Sequence, residues 1–300
     1  MVQRGKRFPS RVRAGRSAVM LTRMGDLDVH TFGICDAHPE VSCFATTRAG
    51  GVSRGTYATF NLGVRCGDDP GHAHENRARL ARALGVGPER LTAGRQVHGA
   101  TIATVTADLV GRGGMDAASA IPDTDGLVTN VPDVPLLVLV ADCAAIFLYD
   151  PVGRAIGIAH GGWRGTVAGV AGAAVVRMTE VFGSRPADMV AAIGPSIGPC
   201  CYEVGADVVE RYHSEQPDVA RHVFSDAAEP ADVKAGKKRL DLWEANRRIL
   251  MRAGLDADKV EIGGLCTACN PERFYSHRAS GGHTGRSAGV IVLHGRSRRG

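Results

Sequence analysis

Short apolar runs alternate with amphipathic stretches along most of the chain. The clearest run covers residues 136–141 and is apolar throughout, as is typical of a strand that is covered on both faces. Other short apolar runs predict strands at 41–46, 126–129, 155–159, 189–193, 260–262 and 289–293. Stretches with helical periodicity predict helices at 74–84, 166–181, 204–212 and 242–253. This mixture predicts a single α/β (α+β) domain with a layered core.

The helix predicted at 242–253 has the best-defined ends. Asp241 is a suitable N-cap, and Glu244 follows three residues later, as in a capping box. Gly254 comes directly after the last helical position, where glycine commonly ends a helix. By contrast, residues 215–238 are polar and contain two prolines, so we expect a loop or excursion there.

Composition places the chain among ordinary globular proteins. Its 300 residues are 44% hydrophobic and 22% charged, so the chain can bury a sizeable core. No apolar run reaches the length of a membrane span, and no apolar segment typical of a secretory signal follows the basic start. We therefore expect a cytoplasmic protein with no membrane partner.

The formal net charge of +5 is concentrated at the two ends of the chain. The basic residues concerned are Arg4, Lys6, Arg7, Arg11, Arg13 and Arg16, together with Arg296, Arg298 and Arg299. We expect a disordered basic extension over residues 1–30, a catalytic domain over 31–294 and a basic tail over 295–300. Because the part between the ends is nearly neutral, we expect no nucleic-acid partner, and no obligate protein partner is evident.

The chain contains eight cysteines, and without a secretory signal we expect them to be reduced. Cys266 and Cys269 have the CxxC spacing of a redox or zinc motif, but no second CxxC is present to complete a four-sulfur site. The adjacent Cys200 and Cys201 are most simply part of a packed turn. The sequence therefore does not favour a metal or redox role for these four cysteines.

Three separate segments each place a possible metal ligand beside a turn or a strand end. His98 lies in the segment 96–99, Cys143 follows the strand predicted at 136–141, and His160 follows the next one. Since open α/β sheets tend to hold ligands at the carboxyl ends of neighbouring strands, we expect Cys143 and His160 to lie close together. Two imidazoles and a thiolate suit a borderline-soft ion such as Zn²⁺ and leave a fourth position open for water or substrate.

The same residues have a second interpretation that needs no metal. With Cys143 as nucleophile and His160 as general base, the protein would be a cysteine hydrolase or deamidase. The two interpretations compete for one thiolate, and His98 as a third ligand favours the metal. A zinc-stabilised binding protein is less favoured, because structural zinc usually has four protein ligands.

Three arginines near these segments are candidates for binding an anionic substrate. Arg48 lies in a glycine-containing turn, Arg164 at the start of the helix predicted after His160, and Arg278 late in the chain. An arginine can hold a carboxylate or phosphate through two parallel hydrogen bonds. We therefore expect Arg48, Arg164 and Arg278 to bind substrate or phosphate.

Ten short motifs occur in order along the chain: TTRAGGVS (46–53), FNLG (60–63), QVHG (96–99), TDGLVTN (124–130), ADC (141–143), AHGGWRGT (159–166), IGPSIGPCCYEVG (193–205), DLWEANRRIL (241–250), FYSHR (274–278) and TGR (284–286). Together they resemble the YfiH/laccase-domain family, whose members are described both as polyphenol oxidases and as purine nucleoside phosphorylases. The resemblance extends from about residue 33 to residue 294.

The resemblance implies a layered αββα-type sandwich, similar to the fold of bacterial toxin deamidases that use a Cys–His pair. It implies one zinc ion held by the histidine of QVHG, the cysteine of ADC and the histidine of AHGGWRGT, which are His98, Cys143 and His160. The implied activity is phosphorolysis of adenosine, inosine, guanosine and methylthioadenosine, with adenosine deamination beside it. A nucleoside and inorganic phosphate would then be the partners. Editing of peptidoglycan precursors is a further role described for bacterial relatives.

A multicopper laccase is the least favoured of the activities that the resemblance implies. Such an enzyme needs several copper ions and therefore many histidines in HxH clusters. Among the 11 histidines of the chain, His72 and His74 form the only HxH pair. We therefore expect zinc rather than copper.

Overall fold

The computed structural model describes residues 20–295, and within this range buried apolar runs form most of the strands. In chain order the strands are β1 (Met20–Met24), β2 (Leu27–Thr31), β3 (Val41–Thr46), β4 (Thr92–Ala93), β5 (Ile102–Thr104), β6 (Gly126–Thr129), β7 (Leu136–Val140), β8 (Ala144–Asp150), β9 (Ala155–Gly161), β10 (Val190–Ile193), β11 (Glu203–Val204), β12 (Phe224–Asp226), β13 (Lys238–Leu240), β14 (Val260–Ile262) and β15 (Ser287–Leu293). The helices are α1 (Gly33–Asp36), α2 (Pro70–Ala83), α3 (Trp163–Val167), α4 (Val170–Phe182), α5 (Ala206–Glu215), α6 (Pro217–Val223), α7 (Pro230–Lys234) and α8 (Leu242–Arg252).

Two mixed sheets of six strands form the centre of the molecule. The first has the strand order β1-β2-β3-β15-β7-β4, and the second has the order β14-β10-β8-β9-β6-β5. Apolar side chains from their facing sides share one core, in which Val138 and Ile291 of the first sheet lie with Phe147 and Ile158 of the second. Two sheets that bury facing side chains in this way form a sandwich. A small third sheet has the order β11-β13-β12.

Helices cover the outer face of each sheet. In the first outer layer, Leu80 of α2 packs in one cluster with Phe44 of β3. In the second, Val175 of α4 and Ile249 of α8 pack with Ile146 of β8. The four layers make an αββα sandwich, which confirms the fold class predicted from the sequence. Between residues 20 and 295, no helix has the length and apolar character needed to cross a membrane.

The predicted helices are present, with differences at their ends that follow from local residues. In α8, Asp241 Oδ1 accepts a hydrogen bond from the backbone N–H of Glu244 at 3.0 Å, which confirms the predicted N-cap. The helix predicted at 166–181 is instead divided into α3 and α4. Gly169 lies between them with φ of 81°, a left-handed conformation that glycine adopts without strain.

The apolar pattern does not predict β8, although all of its residues are buried. Apolar residues continue on both sides of Asp142 and Cys143, and periodicity alone does not show that the chain turns there. β8 carries the chain from the first sheet to the second and pairs with β9. The expectation that Cys143 and His160 follow neighbouring strands of one sheet is therefore wrong, because β7 and β9 belong to different sheets.

Two further expectations about organisation are wrong. The segment 215–238 is not an excursion: it forms α6, β12 and α7, and Val219 and Val223 of α6 lie in the core. Ordered structure also begins before residue 31, because β1 and β2 pair with each other and join the first sheet. The basic residues of both ends lie outside the described residues.

Cys35 and Cys43 form a disulfide with their Cα atoms 6.2 Å apart. The expectation of reduced thiols is therefore wrong for this pair. Their approach is a consequence of tertiary structure: α1 reverses the chain after β2, so that Cys35 faces β3 across a sequence separation of 8 residues. Both side chains are buried in the core between the sheets.

Candidate active site

His98, Cys143 and His160 come together in the folded chain. One possible ligand atom of each lies within 4.8 Å of those of the other two, and the two imidazole rings have centroids 4.9 Å apart. The structure thus assembles the set that the sequence singles out, although 62 residues separate His98 from His160.

Each of the three residues is placed by a different local feature. Cys143 lies at the crossing from β7 to β8, where Asp142 has a φ of 84° and turns the chain between the sheets. His160 is within β9, one residue further into the strand than expected, and pairs with Ala145 of β8. His98 is in the loop between β4 and β5 with a φ of 62°. A left-handed conformation is uncommon for residues other than glycine and is often found where a fold imposes a functional geometry.

Asp125 connects the two histidines, and sequence reasoning did not select it. Its carboxylate accepts hydrogen bonds from the backbone N–H groups of Val97, His98 and Gly99 at 3.0, 2.9 and 2.8 Å. The Nδ1 atom of His160 lies 2.9 Å from Asp125 Oδ1, and both side chains are buried. Because a carboxylate only accepts, Nδ1 carries the proton and Nε2 is left for a ligand. The sequence signal that could have identified Asp125 is its place as a carboxylate in the TDGLVTN motif, directly before a predicted strand.

The charges of Cys143 and His160 depend on each other. Burial raises the pKa of the Cys143 thiol, but the charge of His160 and hydrogen bonds from both histidines outweigh it and lower the pKa to about 6. Burial likewise lowers the pKa of His160, but the Cys143 thiolate and Asp125 outweigh it and raise the pKa to about 9. Without a metal, the two groups therefore form a thiolate–imidazolium pair near neutral pH.

The donors and the space between them fit a zinc ion. Two imidazoles and a thiolate are preferred zinc ligands, and Asp125 supplies the outer hydrogen bond that such a histidine usually makes. Gly162 borders the same space: a Cβ atom there would lie 2.9 Å from Cys143 Sγ and 3.1 Å from His98 Cδ2. A side chain at residue 162 would crowd the ligands, whereas glycine leaves them free.

A second carboxylate holds the cavity wall behind Cys143. Asp142 Oδ1 accepts a hydrogen bond from the hydroxyl of Thr267 at 2.6 Å, and Oδ2 accepts one from the backbone N–H of Arg278 at 2.6 Å. The carbonyl of Asp142 accepts a further bond from the backbone N–H of Ile197 at 2.9 Å. Asp142 therefore ties two distant segments of the chain to the residue that precedes Cys143.

The three candidate ligands line a cavity of about 600 Å³. Among the described residues that line it, Asp142 is the only acidic one, and both of its carboxylate oxygens already accept hydrogen bonds. Arginines are numerous in the lining, namely Arg65, Arg77, Arg95, Arg164, Arg278 and Arg286. A concave site with this excess of positive charge suits an anionic ligand.

Two of the arginines expected to bind substrate lie in this cavity. The guanidinium of Arg164 stacks on the ring of Trp163 at 4.3 Å and donates no hydrogen bond within residues 20–295. Arg278 lies over the ring of Tyr202 at 5.4 Å and donates to the carbonyl of Glu203 at 2.9 Å. Arg164 is therefore free to bind an anion, while Arg278 is held in place by the cavity wall.

The structure does not bring Arg48 into the cavity. Its guanidinium donates to the carbonyl oxygens of Ala58 at 2.9 Å and Pro271 at 2.8 Å, and it stacks on the ring of Tyr275. Through these contacts Arg48 joins two loops, and it is not among the residues that line the cavity. A glycine turn with an arginine is a local pattern, and it does not reveal which loop the arginine contacts.

Residues 42–294 match the family described as multi-copper polyphenol oxidoreductase laccase. Purine nucleoside phosphorylase YlmD of Geobacillus stearothermophilus is 39% identical over 259 residues, which cover 86% of this chain and 92% of that protein. Purine nucleoside phosphorylase YlmD of Bacillus subtilis is 37% identical over 254 residues, which cover 85% and 89%.

The fold agrees with these matches. The crystal structure of YlmD from Geobacillus stearothermophilus superposes with a TM-score of 0.86 at 35% identity, covering 93% of this chain and 100% of that one. The family match over residues 42–294 includes His98, Cys143 and His160. This chain belongs to the YfiH/laccase-domain family.

Proposed function

We propose that this protein is a zinc-dependent purine nucleoside phosphorylase that acts on adenosine, inosine, guanosine and methylthioadenosine, with adenosine deaminase as a second activity. The observation that carries the proposal is the opening of the His98, Cys143 and His160 cluster into a cavity rich in arginine. The names of the similar proteins, purine nucleoside phosphorylases in both cases, support the same reaction.

The cavity has features that suit a nucleoside. Trp163 and Tyr202 line it and offer aromatic faces on which a purine can stack. Burial, followed by the negative charge of Cys143, raises the pKa of the Tyr202 phenol, so its hydroxyl stays protonated and can donate a hydrogen bond. With a volume of about 600 Å³, the cavity lies in the range typical of small-molecule sites.

In phosphorolysis, an oxygen of inorganic phosphate attacks C1′ of the ribose while the bond from C1′ to the purine nitrogen breaks. The phosphate must be bound and oriented against C1′, since it is an anion that would otherwise stay hydrated. We assign this role to Arg164, whose guanidinium is free, with Arg278 as a second, fixed positive group. The departing purine nitrogen takes up a proton, which the attacking phosphate can supply as H₂PO₄⁻, and the Tyr202 hydroxyl lines the cavity as a hydrogen-bond donor to the purine.

His98, Cys143 and His160 would hold the zinc ion. The chemistry that zinc supplies when bound is Lewis-acid polarisation of a substrate or of water. Asp125 fixes the direction of His160 through Nδ1 and the position of His98 through its backbone. The buried carboxylate thus keeps both imidazoles in a ligand geometry before any metal or substrate arrives.

A cysteine hydrolase or deamidase is the second candidate, and one observation favours it. The lowered pKa of Cys143 and the raised pKa of His160 describe a thiolate–imidazolium pair, as nucleophilic cysteines require. In this reading, an amide such as that of a peptidoglycan precursor would be the substrate. We prefer the zinc enzyme because His98, Cys143 and His160 form an open set of three zinc-type donors, and because the similar proteins are named purine nucleoside phosphorylases.

The test measures zinc content and phosphate-dependent release of base from adenosine and inosine on one purified sample. We expect about one zinc per chain at this site, and loss of base release in His98→Ala, Cys143→Ala and His160→Ala. The exposed His222 provides a matched control, because His222→Ala should leave both quantities unchanged. Full activity after removal of zinc, together with inactivation by alkylation of Cys143, would favour the cysteine hydrolase instead.

A further inference from the structure

Four cysteines form a second cluster outside the candidate active site. Cys200 and Cys201 lie in the turn between β10 and β11, and Cys266 and Cys269 lie in the loop after β14. All four sulfur atoms lie within 4.8 Å of one another. The CxxC pair that lacked a partner in the sequence is therefore completed by the adjacent Cys200 and Cys201, 65 residues earlier.

We propose that Cys200, Cys201, Cys266 and Cys269 bind a structural Zn²⁺ ion as a four-thiolate site. Four sulfur donors around one point are the arrangement typical of closed, structural zinc sites. The site goes beyond the proposed phosphorylase activity and does not depend on it, because none of its ligands belongs to the His98, Cys143 and His160 cluster.

The sulfur–sulfur distances fit ligands of a common ion better than a disulfide. Cys269 Sγ lies 3.5 Å from Cys200 Sγ and 3.3 Å from Cys201 Sγ. A disulfide joins its sulfurs at about 2.05 Å. Two sulfurs that are each about 2.3 Å from a tetrahedral zinc ion are about 3.8 Å apart. The cluster therefore needs only a small expansion to receive zinc, and Cys269 faces two cysteines at once rather than a single disulfide partner.

Hydrogen bonds already join the segment before Cys200 to the loop that carries Cys266. Cys266 Sγ accepts a hydrogen bond from the backbone N–H of Gly198 at 3.2 Å, a bond that favours the thiolate form. Ser196 pairs with Cys266 as an isolated parallel bridge, and Thr267 N–H donates to the Ser196 carbonyl at 3.0 Å. The two segments are thus fixed against each other, so that little ordering remains to oppose metal binding.

The close approach also depends on glycine. A Cβ atom at Gly198 would lie 2.6 Å from the ring of Trp243 and 3.2 Å from Cys266 Cβ. Only glycine lets the turn that carries Cys200 pack against the loop that carries Cys266.

The position of the cluster suggests what the ion does. Tyr202 directly follows Cys201, and Arg278 donates to the carbonyls of Cys201 and Glu203 at 3.4 and 2.9 Å. Tyr202 and Arg278 both line the cavity. A zinc ion here would fix the part of the cavity wall that carries Tyr202 and Arg278. Four thiolates around a divalent cation leave a net negative charge, which the guanidinium of Arg278 would partly offset.

The test counts metal ions in the full chain, purified without chelator. We expect about two zinc ions per chain in the wild type and about one in Cys143→Ser, which loses only the active-site ion. The double variant Cys201→Ser, Cys269→Ser should contain about one zinc ion per chain. The control Cys66→Ser should keep two, because the free thiol of Cys66 lies in neither cluster. After replacement of zinc by Co²⁺, Cys143→Ser should show the intense sulfur-to-cobalt charge-transfer absorption of a four-thiolate site.

The Cys143→Ser measurement keeps the proposal testable even if the double variant does not fold. A Cys143→Ser protein without metal would overturn the proposal, as would iron in place of zinc. A disulfide among the four cysteines, found by peptide mapping without reduction, would also overturn it. Phosphorylase activity is not a readout here, so failure of the second site and failure of the proposed function are separate results.

Discussion

Asp125 accepts a hydrogen bond from Nδ1 of the buried His160 at 2.9 Å. The same carboxylate accepts the backbone N–H of His98, so a single acid sets the positions of two possible metal ligands from different loops. Removing its charge would leave buried N–H groups poorly paired and the imidazole free to rotate. The acid therefore positions two of the three candidate metal ligands.

The first prediction concerns this carboxylate. Asp125→Asn should weaken zinc binding by about 10- to 100-fold, the usual effect of losing an outer hydrogen-bond partner of a ligand. The measurement is competition with a chromophoric zinc chelator at fixed pH. The exposed Asp258 supplies the control, since Asp258→Asn should bind zinc as the wild type does. Equal zinc affinity in Asp125→Asn would mean that the hydrogen bond does not orient His160.

A second prediction follows from the lowered pKa of Cys143. In protein stripped of metal, the rate of alkylation of Cys143 should rise with pH around a midpoint of about 6, because only the thiolate reacts. His160→Gln removes the positive partner while burial remains, so the midpoint should move upward. Mass spectrometry of the Cys143 peptide measures the rate. A midpoint near the ordinary thiol value of about 8.5 in the wild type would contradict the thiolate–imidazolium pair.

Gly162 provides a third prediction, this one steric. Gly162→Ala should abolish zinc binding at His98, Cys143 and His160, because the new Cβ would contact Cys143 Sγ at 2.9 Å. The matched control is Gly172→Ala within α4, where a Cβ meets only ordinary contacts of 3.4 Å or more. That change should keep the metal and stabilise the fold by about 0.5–1 kcal/mol. Metal analysis and thermal unfolding of both variants give the answer, and full zinc content in Gly162→Ala would refute the steric argument.

The fourth prediction separates Arg164 from Arg48, two of the three arginines that the sequence analysis expected to bind substrate or phosphate. Arg164→Ala should raise the KM for phosphate by about 10- to 100-fold, which corresponds to a charged hydrogen bond of about 1.5–3 kcal/mol. Arg48→Ala should instead lower the free energy of unfolding and leave that KM nearly unchanged, since Arg48 joins two loops away from the cavity. Steady-state kinetics at varied phosphate and chemical denaturation of each variant make the comparison. A phosphate KM raised by Arg48→Ala alone would reverse the assignment.

The fifth prediction concerns acid stability. His30 is buried beside Phe274 and has no hydrogen-bond partner among the described residues, and burial lowers its pKa to about 4 from an ordinary 6.5. Between these two pH values the unfolded chain binds a proton that the folded protein does not, so stability falls as pH decreases. The loss should approach about 3 kcal/mol at the lower pH and be absent in His30→Phe. Denaturation at pH 7 and pH 4.5 tests this, with His222→Phe as the control; equal acid sensitivity of wild type and His30→Phe would contradict it.

Local patterns in the sequence predict much of the fold. The cap of α8 by Asp241, the buried run that becomes β7, and a layered α/β domain follow from periodicity and end signals, which involve residues near one another in sequence. The αββα order of the layers was implied by the family resemblance. The motifs also indicated His98, Cys143 and His160. Their assembly in one place is a result of the structure, while their role as zinc ligands stays a prediction.

What the sequence by itself determined is thus the kind of elements, the fold class, the family and the three residues of the candidate site. Only the tertiary structure decided that β8 crosses between the sheets, that Asp125 contacts both His98 and His160, that Arg48 joins two loops outside the cavity lining, and that Cys200 and Cys201 lie beside the CxxC pair. The physical reason is that helix and strand formation depends on neighbours along the chain. The meeting of residues 65 or more positions apart depends instead on how strands pair and layers pack, which no local pattern specifies.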